Sequence, residues 1–285
     1  MPAMLGALAV TLAATANADD SAGYALGLGV SADNADGVAA SALVELSLNE
    51  RASFSAQVAT TRASARPEDV RTRDWSLGAR YDFGPVGIEV SGGQSGDPDD
   101  FDADDLSIGV FHSGDHWNLS GRYLQRDIDL TFRTLFAAEP IEAQIPLEAT
   151  GYRLSARYRT DDGLSVGANY RRYDYDRDLS PLSGRFISQR LSPTTLTLSS
   201  SLLEASYGIS AEFPLEQSRA VSVAFTHDEL AGNLGKADSV SVGYLTPVGE
   251  RSDLDISVGV SRGDTGFEDD AVFVSALYLF YGVFD

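Results

Sequence analysis

The strongest constraint on this 285-residue chain is a two-residue alternation of apolar with small or polar side chains that recurs along most of its length. Tyr24, Leu26, Leu28 and Val30 are interleaved with Ala25, Gly27 and Gly29; Val38, Ala40, Ala42, Val44, Leu46 and Leu48 are interleaved with Ser41, Glu45 and Ser47. The pattern returns at Trp75, Leu77, Ala79 and Tyr81, at Trp117, Leu119, Gly121 and Tyr123, and at Tyr152, Leu154, Ala156 and Tyr158. A period of two sends successive side chains to opposite faces of an extended strand, and no comparable stretch sustains the 3.6-residue period of a helix. The chain is expected to be all-β.

About fourteen segments follow this rule: 22–31, 37–48, 51–63, 72–83, 86–93, 104–113, 116–128, 148–160, 163–176, 199–213, 219–228, 237–247, 252–262 and 270–284. Twelve and sixteen are the neighbouring even counts. The joints after even-numbered segments are short, such as Asn49-Glu50 and Gly84-Pro85, whereas 64–71, 94–103, 129–147 and 177–198 are longer. Strands therefore run up and down, with tight turns at one end and loops at the other. A membrane-spanning sheet must satisfy every backbone group internally, so it closes into a barrel whose outer face is apolar. A secreted β-sandwich also alternates, but its apolar face is the inner one. Here aromatic residues rim the apolar face at two levels. Tyr24, Tyr81, Phe83, Trp117, Tyr158 and Phe213 lie near the short turns, with Trp75, Tyr170 and Phe225 nearer the loops. Two such levels fit girdles at the two lipid interfaces and favour the membrane barrel.

Composition narrows the function. With 42 acidic residues against 21 basic ones, the formal charge is −21 and the pI about 4.3, which disfavours nucleic acid as a partner. The absence of cysteine excludes disulfides, thiol nucleophiles and thiolate metal sites, and only three histidines are present. Residues 4–16 form an uncharged apolar run too short to cross a bilayer, followed by Ala16-Asn17-Ala18 and then Asp19-Asp20. This small-x-small pattern predicts a signal peptide over 1–18, with a barrel over 19–285; the competing account is a buried N-terminal helix.

The final segment reads AVFVSALYLFYGVFD, with Val272, Val274, Ala276, Tyr278, Phe280 and Phe284 on one parity. It resembles the terminal β-signal of bacterial outer-membrane proteins, except that Gly282 stands where a large apolar residue is usual and Asp285 follows the last Phe. With the alternation and the loop rhythm, the chain resembles an outer-membrane β-barrel of the porin type. That resemblance implies a transmembrane antiparallel barrel in the outer membrane of a Gram-negative bacterium. It also implies contact with lipid and lipopolysaccharide, insertion by the barrel assembly machinery, and passage of small hydrophilic solutes without a cofactor.

On the opposite parity, Arg122, Arg153 and Arg171 are expected to face the lumen at similar heights on three neighbouring strands, with Arg157 and Arg80 nearer the short-turn end. Glu45, Glu89, Glu204 and Asp255, together with Glu212 and Asp253, are the acidic inward candidates, expected largely across the ring. Opposed charges in a confined aqueous passage set up a transverse field that orients solutes. The expected function is passive diffusion of ions and small hydrophilic solutes. A structural, adhesive or export barrel with a closed lumen is the alternative. A hydrolase ranks lower, since only His227-Asp228-Glu229 resembles an acid–base group. The stretch 96–105, with six aspartates in nine positions, reads as a solvated outer loop. Calcium ligation is its sharper alternative, although the EF-hand spacing is absent.

Overall fold

The computed structural model describes residues 22–34, 37–64, 69–97, 101–136, 139–177, 202–233, 235–263 and 271–284. Fourteen strands are present among the described residues, the expected number. They are β1 (Gly23–Asp33), β2 (Val38–Ser47), β3 (Ala52–Ser64), β4 (Asp69–Asp82), β5 (Val86–Asp97), β6 (Phe101–Ser113) and β7 (Trp117–Phe136). The second half comprises β8 (Glu139–Arg159), β9 (Ser165–Tyr175), β10 (Leu203–Pro214), β11 (Ala220–Leu230), β12 (Gly235–Gly249), β13 (Ser252–Gly263) and β14 (Ala271–Val283). Each strand pairs antiparallel with its chain neighbours, and β14 pairs with β1, so the sheet is a closed barrel without an edge.

The alternation explains the closure. Leu28, Val30, Leu77, Ile108, Val110, Leu154, Ile209, Val258 and Val274 are among many large apolar side chains left exposed, all on the outer parity. An exposed apolar belt around a whole molecule is untenable in water and appropriate to hydrocarbon. Its two rims are the expected aromatic levels. At the short-turn end Trp117 lies 4.8 Å from Tyr158, Tyr81 lies 4.9 Å from Phe83, and Tyr24 lies 5.2 Å from Phe284. At the loop end Tyr152, Tyr170 and Tyr207 stack in sequence at 5.6 and 5.0 Å.

Local chemistry makes the turns. The Asn49 carboxamide oxygen accepts from the Arg51 and Ala52 amides, closing β2 onto β3. Between β10 and β11, Gln217 and Ser218 both adopt positive φ, the twist that matches a tight hairpin. The seam also accounts for Gly282. It pairs with Tyr24, and a Cβ there would come within 2.8 Å of the Tyr24 hydroxyl, so the ring lies over the glycine. Its departure from a large apolar residue lets an aromatic from β1 cover the closing strand.

Two expectations are corrected. Segment 129–147, read as a loop, is largely strand: β7 and β8 form a paired hairpin continuing well past the aromatic rim. The reason is an inversion of polarity without loss of period. Beyond Arg126 the inward residues become Ile128 and Leu130, while Asp127 and Asp129 face out. Likewise, most of 96–105 belongs to β5 and β6, which pair from Asp97↔Phe101 downward. The predicted signal peptide and most of the 177–198 connection lie outside the described residues.

Candidate channel lining

Every strand directs its second parity inward, so register fixes which lumen side chains are neighbours. Arg122, Arg153 and Arg171 occupy directly paired positions on β7, β8 and β9. The same row runs through Ser53, Arg80, Glu89 and Gly109 before reaching Arg122. Below it lies a polar row of Ser120, Ser155 and Asn169, with Ser120 and Ser155 sharing a 2.6 Å hydrogen bond. Below that are Asn118, Arg157 and Gly167. Asn118 and Asn169 face inward yet are exposed, so the lumen at this level has room for water.

The arginines differ in their partners. Arg122 donates from Nε and Nη2 to the two carboxylate oxygens of Glu89, at 2.5 and 2.7 Å. The intervening residue is Gly109, where a Cβ would come within 2.6 Å of Arg122 Cγ. A missing side chain therefore lets Arg122 lie across β6 and reach β5. This corrects the expectation that Glu89 stands on an opposing wall. Arg80 donates to Ser113 Oγ at 3.1 Å and stacks its guanidinium over Phe111 at 3.5 Å. Among the described residues, Arg153, Arg157 and Arg171 make no ion pair with an acidic side chain.

The acids also divide. Glu45 lies within Coulombic range of Arg80, while Asp255 and Glu212 are electrostatic neighbours near the short-turn end of β10–β13. Glu204 sits at a register shift where β10 begins, away from that acidic group. The acidic arc is therefore Glu212, Asp253 and Asp255, with Glu45 beyond the seam on β2. Asp253 and Asp255 are paired with Leu279 and Leu277 on β14, so this end of the arc is half-buried, while the row that starts at Glu212 continues through the small residues Ser222, Gly243, Ser257 and Ser275.

Toward the loop end the lumen wall changes character. Arg126, only 8% exposed, is gripped by both carboxylate oxygens of Asp105 at 2.6 and 2.8 Å and lies over the Tyr173 ring. Above it Phe101, Ala103, Ile128, Leu130, Leu147, Leu202 and Ala231 pack into one buried cluster, and Leu124, Ala149, Tyr173 and Leu203 into a second. Sequence reasoning missed this inward apolar surface because it looked for lipid-facing apolar residues. The continuing period at 124, 126, 128 and 130 was the signal that carried it.

The acid–base triple does not assemble. The period of two sends His227 and Glu229 to the outer face and Asp228 inward, and His227 bonds Asp238 at 2.7 Å while Lys236 holds Glu229. Among the described residues no group of three or more acidic or histidine side chains is placed to hold a metal ion.

Closed membrane topology, a lipid-compatible exterior and a wet charged interior define an outer-membrane β-barrel. The model of the Gram-negative porin family matches residues 1–180, and the chain belongs to that family. No curated protein sequence matches it. The fold is similar to CymD, a monoaromatic hydrocarbon channel, at 10% identity and a TM-score of 0.55, covering 93% of this chain and 89% of that one. The Ralstonia pickettii toluene transporter TbuX gives 10% identity and 0.53, with 94% and 90% covered. Outer-membrane OmpT of Vibrio cholerae gives 8% and 0.53, with 93% and 99% covered.

Proposed function

We propose that this porin carries ions and small hydrophilic solutes across the outer membrane by passive diffusion, without a catalytic step. The observation that carries the reading is the contrast between parities: a continuous apolar exterior encloses an inward face on which Asn118 and Asn169 are exposed and Arg153, Arg157, Arg171, Glu45 and Glu212 are half-buried rather than packed away. Solutes would move between the arginine row of β7–β9 and the acidic arc of β10–β13, where a transverse field aligns polar molecules. Hydrocarbon transport, the role that the names of CymD and TbuX state, is less well supported, because the inward apolar side chains at the loop end pack against one another and the rows below them on β7–β9 are polar.

The same reading places the mature N-terminus at Asp19, with Ala16 and Ala18 supplying the small side chains at the cleavage site. It also assigns outer-leaflet lipid and lipopolysaccharide to the girdled exterior, and the barrel assembly machinery to the terminal strand. Liposome swelling tests the function. Vesicles containing the folded protein should swell in small sugars, with rates falling as solute size increases. Swelling no faster than in protein-free vesicles would contradict it and favour a closed structural barrel.

A further inference from the structure

Arg153 and Arg171 stand in direct register on adjacent strands, where like charges oppose one another at a spacing of about 5 Å. Their neighbour in the row, Arg122, is already neutralised by a two-pronged bond to Glu89. Arg126, four residues above Arg122 on β7, is neutralised by Asp105. Arg153 and Arg171 are therefore two adjoining guanidiniums, partly exposed to the lumen, with no acidic side chain bonded to either among the described residues. On the loop side they are bounded by Leu124 and Tyr173, which are 7% and 4% exposed. That dry wall strengthens any charge interaction made beside it.

We propose that Arg153 and Arg171 form a binding station for the carboxylate of a small hydroxylated acid, a deepening that rests on the channel reading above. Two guanidiniums side by side offer paired donors to a planar carboxylate, and the anion supplies the charge that the row lacks. The hydroxyl requirement comes from the next row. Ser155 and Asn169 lie two residues along β8 and β9 from the arginines, about 7 Å away, the reach of a sugar acid from its carboxylate to its far hydroxyls. Asn169 is exposed, and its amide leans across Gly208, where a Cβ would approach its oxygen to 2.9 Å. Arg157 follows one row further down and gives a departing carboxylate its next partner. The preference of the pore at this station is thus opposite in sign to the net charge of the molecule.

The test is calorimetric titration of the folded, detergent-solubilised barrel with D-glucuronate, D-glucose, acetate and inorganic phosphate, which reads binding whether or not the lumen conducts. Glucuronate should bind more tightly than acetate or phosphate, and glucose should not bind. R153Q and R171Q should each weaken glucuronate about tenfold or more, as expected for loss of a charge-assisted contact. The turn variant R219Q should leave its affinity unchanged. R153Q and R171Q are first checked for heat-modifiable gel migration, and N169A, which keeps all charges, should weaken glucuronate but not acetate. Equal affinity for acetate and glucuronate, tighter binding of phosphate, or unaltered binding in folded R153Q and R171Q would overturn the proposal. Glucuronate binding by a barrel that fails to swell liposomes would instead remove the channel reading and leave the station standing.

Discussion

Glu89 reaches Arg122 across two strand spacings because Gly109 stands between them, and this single absence of a side chain decides how many arginines the lumen offers. Replacing Glu89 with Gln removes the counter-charge and leaves a run of three guanidiniums. E89Q should therefore raise the anion-to-cation permeability ratio, measured as a shift in zero-current potential under a salt gradient; an unchanged ratio would show that Arg122 does not face the ion path. Asp105 has a different role. It holds Arg126 in nearly dry surroundings, where losing one partner of an ion pair costs about 3–5 kcal/mol. D105N should lower the temperature of the folded-to-unfolded gel shift without abolishing the barrel. Residue identities and parity were enough to place the arginines inward, but not to identify their partners. Ion pairing across an intermediate strand depends on register, and nothing within a single strand's own pattern reveals that Gly109 clears the way.

At the scale of elements, the long β7–β8 hairpin follows from the same two-residue period that builds the barrel wall, with its polarity reversed above the aromatic rim. Within the membrane the outward parity is apolar because it meets lipid. Beyond it the outward parity carries Asp102, Asp104, Asp127, Asp129 and Glu148, while Ile128 and Leu147 are buried inside. The strands themselves were legible in sequence because lipid enforces alternation over every crossing. The extension was not, since a run of outward aspartates resembles a solvated loop until its inward partners are seen. Among the described residues, Ile128 and Leu147 are the largest side chains that are almost completely buried, so this cluster anchors the hairpin. I128A should destabilise it by about 2–5 kcal/mol. Limited proteolysis would then cut within 127–147 faster than in the unsubstituted protein, with the heat-modifiable barrel intact. Equal cleavage rates would show that the apolar cluster does not hold the hairpin.

For the whole molecule, the formal charge of −21 is arranged so that its sign at the loop-end exterior differs from its sign along one arc of the lumen. Carboxylates crowd the outer rim of β6–β8, and on the inner side of neighbouring wall Arg153 and Arg171, beside the Glu89-paired Arg122, present fixed positive charge that no ordinary pH removes. The barrel is thus more than a scaffold with a hole: its register assembles the arginines on one arc and leaves Glu212, Asp253 and Asp255 on another. The measurement that tests this most directly is planar-bilayer recording of the purified protein beside its R122A, R153A and R171A variants. Stepwise single-channel currents are predicted, with each substitution altering conductance or ion preference. Silent bilayers with correctly folded protein, or currents identical in all three variants, would contradict it.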